Sequence, residues 1–552
     1  EGGLLLFLFA LGNAGEHLAL DRARRAIDEL AGLAPATARV LDDDGQDRLV
    51  AIEQVRPAQR VIVRPFERIP VDGQVIEGAS AVDQSTITGE SLPVEKTPGE
   101  AVFAGTMNIE GRIVVRVSRT AEETTLARII RMVEQAQAAK SPTELFTARV
   151  ERFYVPFVLV ATAALILLPP IMGIAPIREP ERLWAGWFYQ AMAFLTAASP
   201  CALAIGTPSA VLCGIARSAR IGVLLKGGAH LELLGRVRAI AFDKTGTLTV
   251  GRPALTDIVP VGPLDPSEIL ALAAAVERES NHPLARAVYM AAQARGLSLP
   301  KVTHIEQVAG QGIRGILDGR RISVGRLVPD DGLESAAAEA VERLAREGKS
   351  TIVVRRDEQV VGVIGLADKV RPGAAEVIKE LHAQGIEKTL ILTGDHQAAA
   401  DLIARQVGVD EHLASLLPEQ KLRVIAELRE RYGVVAMVGD GVNDAPALAA
   451  AGVGIAVGGG GADVAMETAD VVLMGGDLRQ LPRAISVSRK ARRIIGQNLL
   501  IALGVIVVVA PIAALGLTNI GLAVLFHEGS TVVVVLNSLR LLSGRADRLK
   551  SR

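Results

Sequence analysis

Residues 241–249 read Ala-Phe-Asp-Lys-Thr-Gly-Thr-Leu-Thr and continue an apolar run that begins at Val237. The run predicts a short buried strand over 237–242, so that Asp243 stands at its carboxyl end, before a turn-prone Thr-Gly-Thr. Ligands of α/β sheets bind in the crevice outside the carboxyl ends of parallel strands. A carboxylate there can attack a phosphoryl group and form an aspartyl-phosphate, which makes Asp243 a candidate nucleophile. A capped turn without chemistry is the structural alternative.

Three further stretches set polar residues after strand-like runs or beside them. Thr393-Gly394-Asp395 supplies a hydroxyl and backbone N–H groups that suit a phosphate. Lys421 can neutralise the same phosphate. A Gly-Asp-Gly-Val-Asn-Asp stretch then brings in the oxygens of Asp440, Asn443 and Asp444, which suit Mg²⁺. Together with Asp243, these stretches predict one phosphoryl-transfer site.

Composition limits the kind of protein that this chain can be. At ~150 residues per domain, the 552 residues predict three or four domains. The net charge of −1 predicts no attraction to polyanions, and we therefore expect no nucleic-acid partner. Cys201 and Cys213 share one apolar segment and cannot build a disulfide scaffold.

Apolar residues are concentrated in a few long runs. A bilayer-spanning helix needs ~20 residues, and four runs reach that length, at 153–174, 184–215, 494–517 and 521–542. A shorter run at 2–13 has the character of the second half of a membrane helix. We therefore expect that an N-terminal part precedes Glu1.

Lys and Arg mark the cytoplasmic side of these five runs. They are concentrated after the first run, before the second, after the third, before the fourth and after the fifth. The two remaining connections carry little net positive charge. This distribution places both large polar regions in the cytoplasm and predicts a multi-pass protein of the plasma membrane, with lipid as a partner.

The polar regions differ in pattern. Residues 36–119 alternate Val and Ile with polar residues, which predicts a small β-rich domain, and 122–148 has a helical pattern. Between 216 and 493, helices alternate with strand-like runs, and the different pattern at 254–360 predicts an inserted domain. The strand-like runs are 238–242, 360–366, 389–393, 434–438, 453–457 and 471–474.

A loop in the β-rich region presents one more carboxylate. Residues 88–91 read Thr-Gly-Glu-Ser. Taken alone, Thr88, Gly89 and Glu90 are more typical of an ordinary polar turn. A functional role for these three residues is indicated only when this stretch is considered together with the other stretches.

In this order, the four kinds of stretch resemble the P-type ATPases, and the resemblance covers essentially the whole chain. It implies ATP and Mg²⁺ as cofactors and phosphorylation of Asp243, with Thr245, Asp440 and Asp444 also around Mg²⁺. It implies that Glu90 positions the water that hydrolyses the aspartyl-phosphate. The implied catalytic residues, which include those at the phosphate, are Thr88, Gly89, Glu90, Asp243, Lys244, Thr245, Thr393, Gly394, Asp395, Lys421 and Asn443.

The resemblance also sets the expected layout. We expect a multi-domain α/β protein with an α-helical membrane domain, a haloacid-dehalogenase-like Rossmannoid phosphorylation domain, an inserted α+β nucleotide-binding domain and a β-rich actuator domain, acting as a monomer. The expected segments are the end of a transmembrane helix (1–20), the actuator domain (21–120), a linker helix with two transmembrane helices (121–215), the phosphorylation domain (216–253 and 361–488), the nucleotide-binding domain (254–360) and two further transmembrane helices (489–545).

Two stretches of the inserted region point to a nucleotide. Residues 280–284 read Ser-Asn-His-Pro-Leu, and a Gly-x-Gly series begins at Gly310. The glycine spacing alone is a weak signal without a βαβ context. Both stretches resemble the nucleotide-binding site of heavy-metal P-type ATPases, which implies that Glu279, His282, Gly310 and Gly312 contact ATP. A plain helix cap is the alternative for His282.

The membrane runs carry side chains that are costly to place in lipid. Pro200 removes a backbone donor and frees carbonyl groups, and Cys201 beside it offers a soft thiolate. His527 and Glu528 lie in the last apolar run, where ionisable residues are functional by default. Thr531 shares their broad helix face. Packing alone is the alternative for these residues.

Ser199-Pro200-Cys201 together with the His-Glu-Gly-Ser-Thr stretch at 527–531 resembles the cobalt-type subgroup of heavy-metal P-type ATPases. Copper(I) pumps usually carry Cys-Pro-Cys at the first position. The resemblance implies export of a divalent transition metal such as Co²⁺, Zn²⁺ or Cd²⁺, with Ser199, Cys201, His527, Glu528 and Thr531 around the ion. His527 as ligand, gate or packing residue stays open, and Glu528 can also serve as a countercharge.

Three rival functions remain at this stage. A zinc/cadmium/lead-type pump usually carries Cys-Pro-Cys, from which Ser199 departs. A membrane-tethered haloacid-dehalogenase-like phosphatase needs neither Glu90 nor Cys201 and Glu528. A non-enzymatic metal sensor does not need the phosphoryl-transfer residues.

Overall fold

The computed structural model describes most of the chain in two compact units, Glu1–Val237 with Asp470–Arg552, and Arg238–Ala469. The described residues are 35–42, 46–84, 93–177, 180–280, 282–308, 312–325, 335–357, 359–440, 444–458 and 468–542, with six single positions between 3 and 21.

Fourteen α-helices lie in the continuous described ranges, numbered here in chain order. They are α1 Thr125–Ala138, α2 Pro142–Ile171, α3 Leu183–Ala197, α4 Cys201–Arg220, α5 Gly228–Leu234, α6 Pro266–Glu277, α7 Pro283–Ala294, α8 Ser335–Arg346, α9 Ala374–Ala383, α10 Gln397–Val407, α11 Pro418–Tyr432, α12 Ala445–Ala450, α13 Gln480–Ala514 and α14 Ile520–Leu539.

The described strands are numbered in the same way. They are β1 Thr37–Leu41, β2 Asp47–Ala51, β3 Arg60–Val63, β4 Gly73–Glu77, β5 Ser80–Asp83, β6 Val94–Lys96, β7 Ala101–Val102, β8 Met107–Asn108, β9 Ile113–Val117, β10 Val223–Leu225, β11 Ala239–Asp243, β12 Thr249–Pro260, β13 Thr303–Val308, β14 Gly312–Leu317, β15 Arg320–Gly325, β16 Ser350–Arg356, β17 Gln359–Val370, β18 Lys388–Leu392, β19 Glu411–Leu413, β20 Val435–Gly439, β21 Val453–Val457 and β22 Val471–Leu473.

The β-rich region of the first unit forms two antiparallel sheets, in the orders β2-β1-β3-β9-β4-β7 and β6-β5-β8. Alternating Val and Ile side chains meet in its core, as where Val61 pairs with Val115. Buried Asp72 ties this domain to helix α1, because its Oδ2 accepts hydrogen bonds from the backbone and hydroxyl of Thr125 at 2.6 and 2.7 Å.

The helical pattern predicted over 122–148 is present as two helices, since α1 ends at Ala138 and α2 begins at Pro142. Ser141 caps α2 in a capping box with Glu144. A residue before proline disfavours the helical region, and a serine cap fixes a new start. The break separates the linker helix from the first described membrane helix.

Four described helical segments are long and apolar enough to cross a bilayer: α2, the segment Leu183–Arg220 that contains α3 and α4, α13 and α14. The predicted interruption of the second segment is present, since α3 ends at Ala197 and α4 begins at Cys201. The hydroxyl of Tyr154 in α2 donates to the carbonyl of Ala198 at 2.8 Å and so fixes the break.

Five parallel strands form the core of the second unit, in the order β21-β20-β11-β18-β19. From β11 the chain first adds β18 and then β19 on one side of the sheet. It then crosses to the other side of β11, where it adds β20 and then β21. The order therefore reverses between β11 and β20, where α/β sheets bind ligands outside their carboxyl ends.

A separate antiparallel sheet, β12-β17-β16-β15-β14-β13, forms the inserted domain, and α6 and α7 pack on it. The run 360–366, predicted as a strand of the parallel series, lies instead in β17 and pairs antiparallel with β12. An apolar run has the same pattern in either sheet, so local sequence cannot choose its partner. The predicted strand at 471–474 is present as β22, and its antiparallel partner β10 was not predicted.

Helices α4 and α14 approach closely at Gly206. A methyl group added there would lie 2.6 Å from Val534 Cγ1 and 3.3 Å from Asn498 Cβ. Glycine permits this approach because it leaves room for the neighbouring side chains of Val534 and Asn498.

We expect Gly206→Ala to lower the stability of the membrane domain by about 1–3 kcal/mol, since overpacking forces the helices apart. Gly504→Ala in α13 is the matched control, because an added methyl there meets no atom within 4 Å. Thermal unfolding of the detergent-solubilised protein compares the two. Equal midpoints would contradict the packing described here.

Candidate functional site

The ends of three parallel strands bring the predicted phosphoryl-transfer residues together. In β11, Asp243 pairs with Leu392, so that Thr393 follows directly beside it. On the other side Phe242 pairs with Val438, which places Asp440 just beyond the end of the neighbouring strand. The stretches far apart in sequence therefore meet at the point where the strand order reverses.

Lys421 projects from the first turn of α11 into this crevice. Its ammonium Nζ lies 2.7 Å from Asp243 Oδ1 and 2.7 Å from Asp444 Oδ1. The other oxygen of Asp243, Oδ2, accepts the backbone N–H of Thr245 at 3.0 Å. Asp243 is only 7% exposed, so each oxygen is held by a named donor in a nearly closed site.

A second cluster surrounds Asp395. Lys244 forms an ion pair with Asp395 Oδ2, and the hydroxyl of Thr393 donates to the same oxygen at 2.9 Å. Thr245 Oγ1 lies 3.5 Å from it. Gly394 packs near the carbonyl of Leu416. Lys244 therefore pairs with Asp395, whereas Lys421 pairs with Asp243.

Burial raises the pKa of Asp243 to about 6, with the carboxylates of Asp444 and Asp440 adding to the shift and Lys421 opposing it. Burial also raises the pKa of Asp444. For Lys421, burial works against the charge, but the two carboxylates outweigh it and its pKa lies above the ordinary value. The site therefore favours positive charge close to Asp243.

The donor set fits a hard divalent cation. Asp444 Oδ2 is buried and has no hydrogen-bond partner among the described residues, and carboxylate oxygens are the ligands that Mg²⁺ prefers. Lys421 lies between Asp243 and Asp444. Across the described ranges, no three His, Cys, Asp or Glu side chains are grouped tightly enough to hold a metal ion. Mg²⁺ usually takes only one or two carboxylates together with waters and substrate phosphates, so this donor set still suits it.

Several predicted residues lie outside the described part of the chain. These are Thr88, Gly89, Glu90, Gly310 and Asn443.

The described residues that were predicted to contact ATP in the inserted domain have different surroundings. His282 is exposed, and its Nδ1 accepts the N–H of Leu284 at 3.3 Å, which is the helix-cap role. Glu279 is exposed and pairs with Arg278. Gly312 begins β14 with a φ of +135°, where an added Cβ would meet the carbonyl of Val324.

Sequence reasoning missed Glu277 at the end of α6. Its side chain is 7% exposed, and burial raises its pKa to about 7. Strongly shifted carboxyl groups are concentrated at functional sites. The signal was present in the sequence, because Glu277 continues the buried face of Ala273 and Ala274 at helical spacing.

Within the membrane helices, a cavity of about 540 Å³ contains most of the predicted metal residues. Ser199, Pro200 and Cys201 line it from the helix break, and His527 and Glu528 line it from α14. Ser199 Oγ lies 3.2 Å from Cys201 Sγ, and His527 Nε2 lies 3.9 Å from Glu528 Oε1. Apolar side chains of α2, α3 and α14 form the remaining wall, together with Thr196 of α3.

Thr531 stands outside the set of described residues that line this cavity. Its hydroxyl lies 3.3 Å from the His527 carbonyl, to which Ser530 Oγ also donates at 2.7 Å. Hydroxyls on one helix face often bond to a carbonyl three or four residues back. Sharing a helix face with Glu528 therefore did not bring Thr531 to the cavity.

A phosphoryl-transfer crevice with an inserted domain, a β-rich domain and membrane helices defines the class of P-type ATPases. Residues 237–452 match the haloacid dehalogenase-like hydrolase family, and residues 32–134 match the P-type ATPase actuator domain.

Proteins of similar sequence indicate to which branch of the P-type ATPases this chain belongs. The probable cadmium-transporting ATPase of Alkalihalophilus pseudofirmus is 40% identical over 98% of this chain and 75% of its own length. The zinc-transporting ATPase of Bacillus subtilis is 40% identical over 98% and 84%. The probable copper-exporting P-type ATPase V of Mycobacterium tuberculosis is 43% identical over 98% and 69%.

A solved structure of a zinc-transporting PIB-type ATPase in the E2.Pi state is also similar, with a TM-score of 0.65 and 38% identity over 98% of this chain and 86% of that one. The chain belongs to the heavy-metal-transporting P-type ATPases. It is an ion-translocating ATP hydrolase of the membrane, with its large soluble domains in the cytoplasm, and the predicted fold class is confirmed.

Proposed function

We propose that this protein exports a divalent transition metal from the cytoplasm, driven by ATP through an aspartyl-phosphate at Asp243. One observation carries the proposal: a thiol, a hydroxyl, an imidazole and a carboxylate line a single cavity inside the membrane helices. These are the side chains of Cys201, Ser199, His527 and Glu528. Family membership argues against a tethered phosphatase or a sensor.

The chemistry of these donors supports the choice of metal. A soft thiolate with imidazole and carboxylate suits a borderline divalent ion better than Na⁺, K⁺ or Ca²⁺. Ser199 in place of a second cysteine disfavours Cu⁺. We therefore propose the cobalt-type subgroup, with Co²⁺, Zn²⁺ or Cd²⁺ as substrates. The relatives named for cadmium and zinc support a divalent ion, and the relative named for copper makes Cu⁺ the alternative.

The proposed first chemical step takes place at Asp243. A carboxylate oxygen attacks the γ-phosphorus of ATP, the bond to the β–γ bridging oxygen breaks, and ADP leaves with that electron pair. Lys421 and the backbone N–H of Thr245 hold the carboxylate in place. We assign Thr393, Gly394 and Lys244 to the transferred phosphoryl group. Mg²⁺ held by Asp243, Thr245, Asp440 and Asp444 would neutralise the phosphate charge.

Hydrolysis completes the cycle. Water attacks the phosphorus of the aspartyl-phosphate, inorganic phosphate leaves, and the Asp243 carboxylate is restored. We assign Glu90, with Thr88 and Gly89, to orient that water, and we assign Asn443 a catalytic role toward the phosphoryl group.

We assign ATP to the inserted domain, at Glu279, His282, Gly310 and Gly312. Glu277 joins this set, since a buried carboxyl that is partly protonated near pH 7 can both donate and accept a hydrogen bond. The chain acts as a monomer in this proposal.

The cost of transport explains the need for ATP. Moving two charges outward against ~100 mV, inside negative, costs about 4.6 kcal/mol at ~2.3 kcal/mol per charge, before any concentration gradient. Glu528 can stay behind in the cavity as a countercharge once the metal has left.

We expect ATP hydrolysis by the purified protein to be stimulated by one or a few of Co²⁺, Zn²⁺, Cd²⁺, Fe²⁺ and Ni²⁺ at buffered free concentrations. Cys201→Ala and Glu528→Ala each remove a donor and raise the metal concentration needed by at least ~tenfold. Cys213→Ala is the matched control, because this buried cysteine of α4 stands outside the described cavity lining.

Two results of that experiment contradict the proposal. If no metal changes the rate of ATP hydrolysis, the cavity residues have a packing role and do not bind a transported ion. Stimulation by Cu⁺ alone, assayed beside the divalent ions, would make this a copper pump.

The environment of Asp243 predicts a pH effect. Only the carboxylate attacks phosphorus, so phosphorylation slows once the pH falls far enough to protonate Asp243. The pKa of Asp243 is about 6 without Mg²⁺, and the charge of a bound Mg²⁺ lowers the pH at which this happens. Lys421→Met removes the ammonium that opposes this shift and leaves the burial and Asp444, so that the decline begins at a higher pH. The rate of phosphoenzyme formation between pH 5 and 8 measures it, with exposed Arg423→Met on α11 as control. A decline at the same or a lower pH contradicts the role of Lys421.

A further inference from the structure

Asn498 is a polar side chain in the middle of α13, and it is only 1% exposed. Its Nδ2 donates to the carbonyl of Gly206 at 2.9 Å and to Ser538 Oγ at 3.0 Å. Its Oδ1 accepts from Asn537 Nδ2 at 2.9 Å. One amide therefore links α4, α13 and α14, and both of its N–H groups are used.

The helices also fit together sterically at this point. Gly206 lies against the side chains of Asn498 and Val534, and Ser538 Oγ donates to the Val534 carbonyl at 3.0 Å. A one-residue slide of either neighbouring helix would break these bonds and leave a buried amide unpaired, which is costly in a membrane. The network consequently fixes the register of α4 against α14.

Both of these helices also carry the cavity. Gly206 is five residues beyond Cys201 in α4, or about 7.5 Å along the axis. Ser538 is ten residues beyond Glu528 in α14, or about 15 Å. Asn498 stands outside the described cavity lining. It can therefore act on a metal ion only by setting where the two helices place their donors.

The N-terminal part of α13 contacts residues 235–237, which precede the nucleophile Asp243 in the chain. Arg489, nine residues before Asn498, donates to the carbonyl of Val237 at 3.2 Å. A methyl group added at Gly235 would lie 2.9 Å from the Ser488 carbonyl, so the backbones are in close contact. From Val237 the chain runs directly into β11 and Asp243.

We propose that Asn498 is a positioning residue that couples metal occupancy of the cavity to phosphorylation of Asp243. It sets the register of α4 and α14 from a helix whose cytoplasmic end holds the segment before β11. The inference rests on the proposed function, because it needs a metal ion between Cys201 and Glu528.

The test uses the full-length protein and two measurements. The first is the free metal concentration (Zn²⁺, Cd²⁺ or Co²⁺) that gives half-maximal phosphorylation from ATP. The second is phosphorylation by inorganic phosphate without transported metal, which reverses the hydrolysis step. Asn498→Ala loses three hydrogen bonds. At roughly threefold per lost membrane hydrogen bond, it should raise the first measurement by about thirtyfold and leave the second unchanged.

Two further variants keep the result decisive. Gln497→Ala, next to Asn498 and exposed, loses only a 3.2 Å bond from Asn537 and should behave as the wild type. Ser538→Ala should shift the metal concentration about threefold, and combined with Asn498→Ala it should add nothing further. Ser538→Ala also decides the case if Asn498→Ala does not fold.

An unchanged metal response in Asn498→Ala or Ser538→Ala, an additive double variant, or equal loss of phosphorylation by inorganic phosphate would overturn the inference. A wild type that shows no metal-dependent phosphorylation would instead overturn the proposed function, so the two failures are distinguishable.

Discussion

The contact between Lys421 and the two carboxylates of Asp243 and Asp444 is the interaction on which the phosphoryl-transfer site depends. Two buried like charges close together are unfavourable, and the ammonium between them makes the arrangement stable. The same crowding of carboxylates favours a divalent cation in the crevice. Burial keeps the nucleophile in a largely water-free site, while its pKa of about 6 still leaves it mostly ionised near pH 7.

The membrane domain meets a related constraint. Polar groups in lipid must be paired or must line a cavity. Ala198, at the break before Pro200, has its carbonyl bonded to Tyr154, and the amide of Asn498 has partners on two helices. Cys201 and Glu528 line a cavity with room for an ion. The membrane helices therefore contain both polar groups that join helices and polar groups that line this cavity.

Local pattern was enough to predict the strand ends. The apolar run before Asp243, like that before Thr393, identifies its strand without knowledge of the rest of the fold. The partner of the run at 360–366 could not be predicted, because pairing with β12 is a non-local choice. Nor could the bond from Lys421 to Asp444, which depends on how α11 packs. Glu277 could have been predicted to be buried, because its helical spacing continues the face of Ala273 and Ala274. Thr531 was predicted to be near the metal from its spacing alone, which does not show whether a side chain reaches the cavity.

The central claim is that phosphorylation of Asp243 drives metal out of the cytoplasm. The most direct measurement is ATP-driven uptake of Zn²⁺, Cd²⁺ or Co²⁺ into inside-out membrane vesicles, for the wild type and for Asp243→Asn. The asparagine keeps the shape of the side chain and removes the nucleophile. The account predicts uptake by the wild type and none above background in the variant. Equal uptake by the two proteins would contradict it.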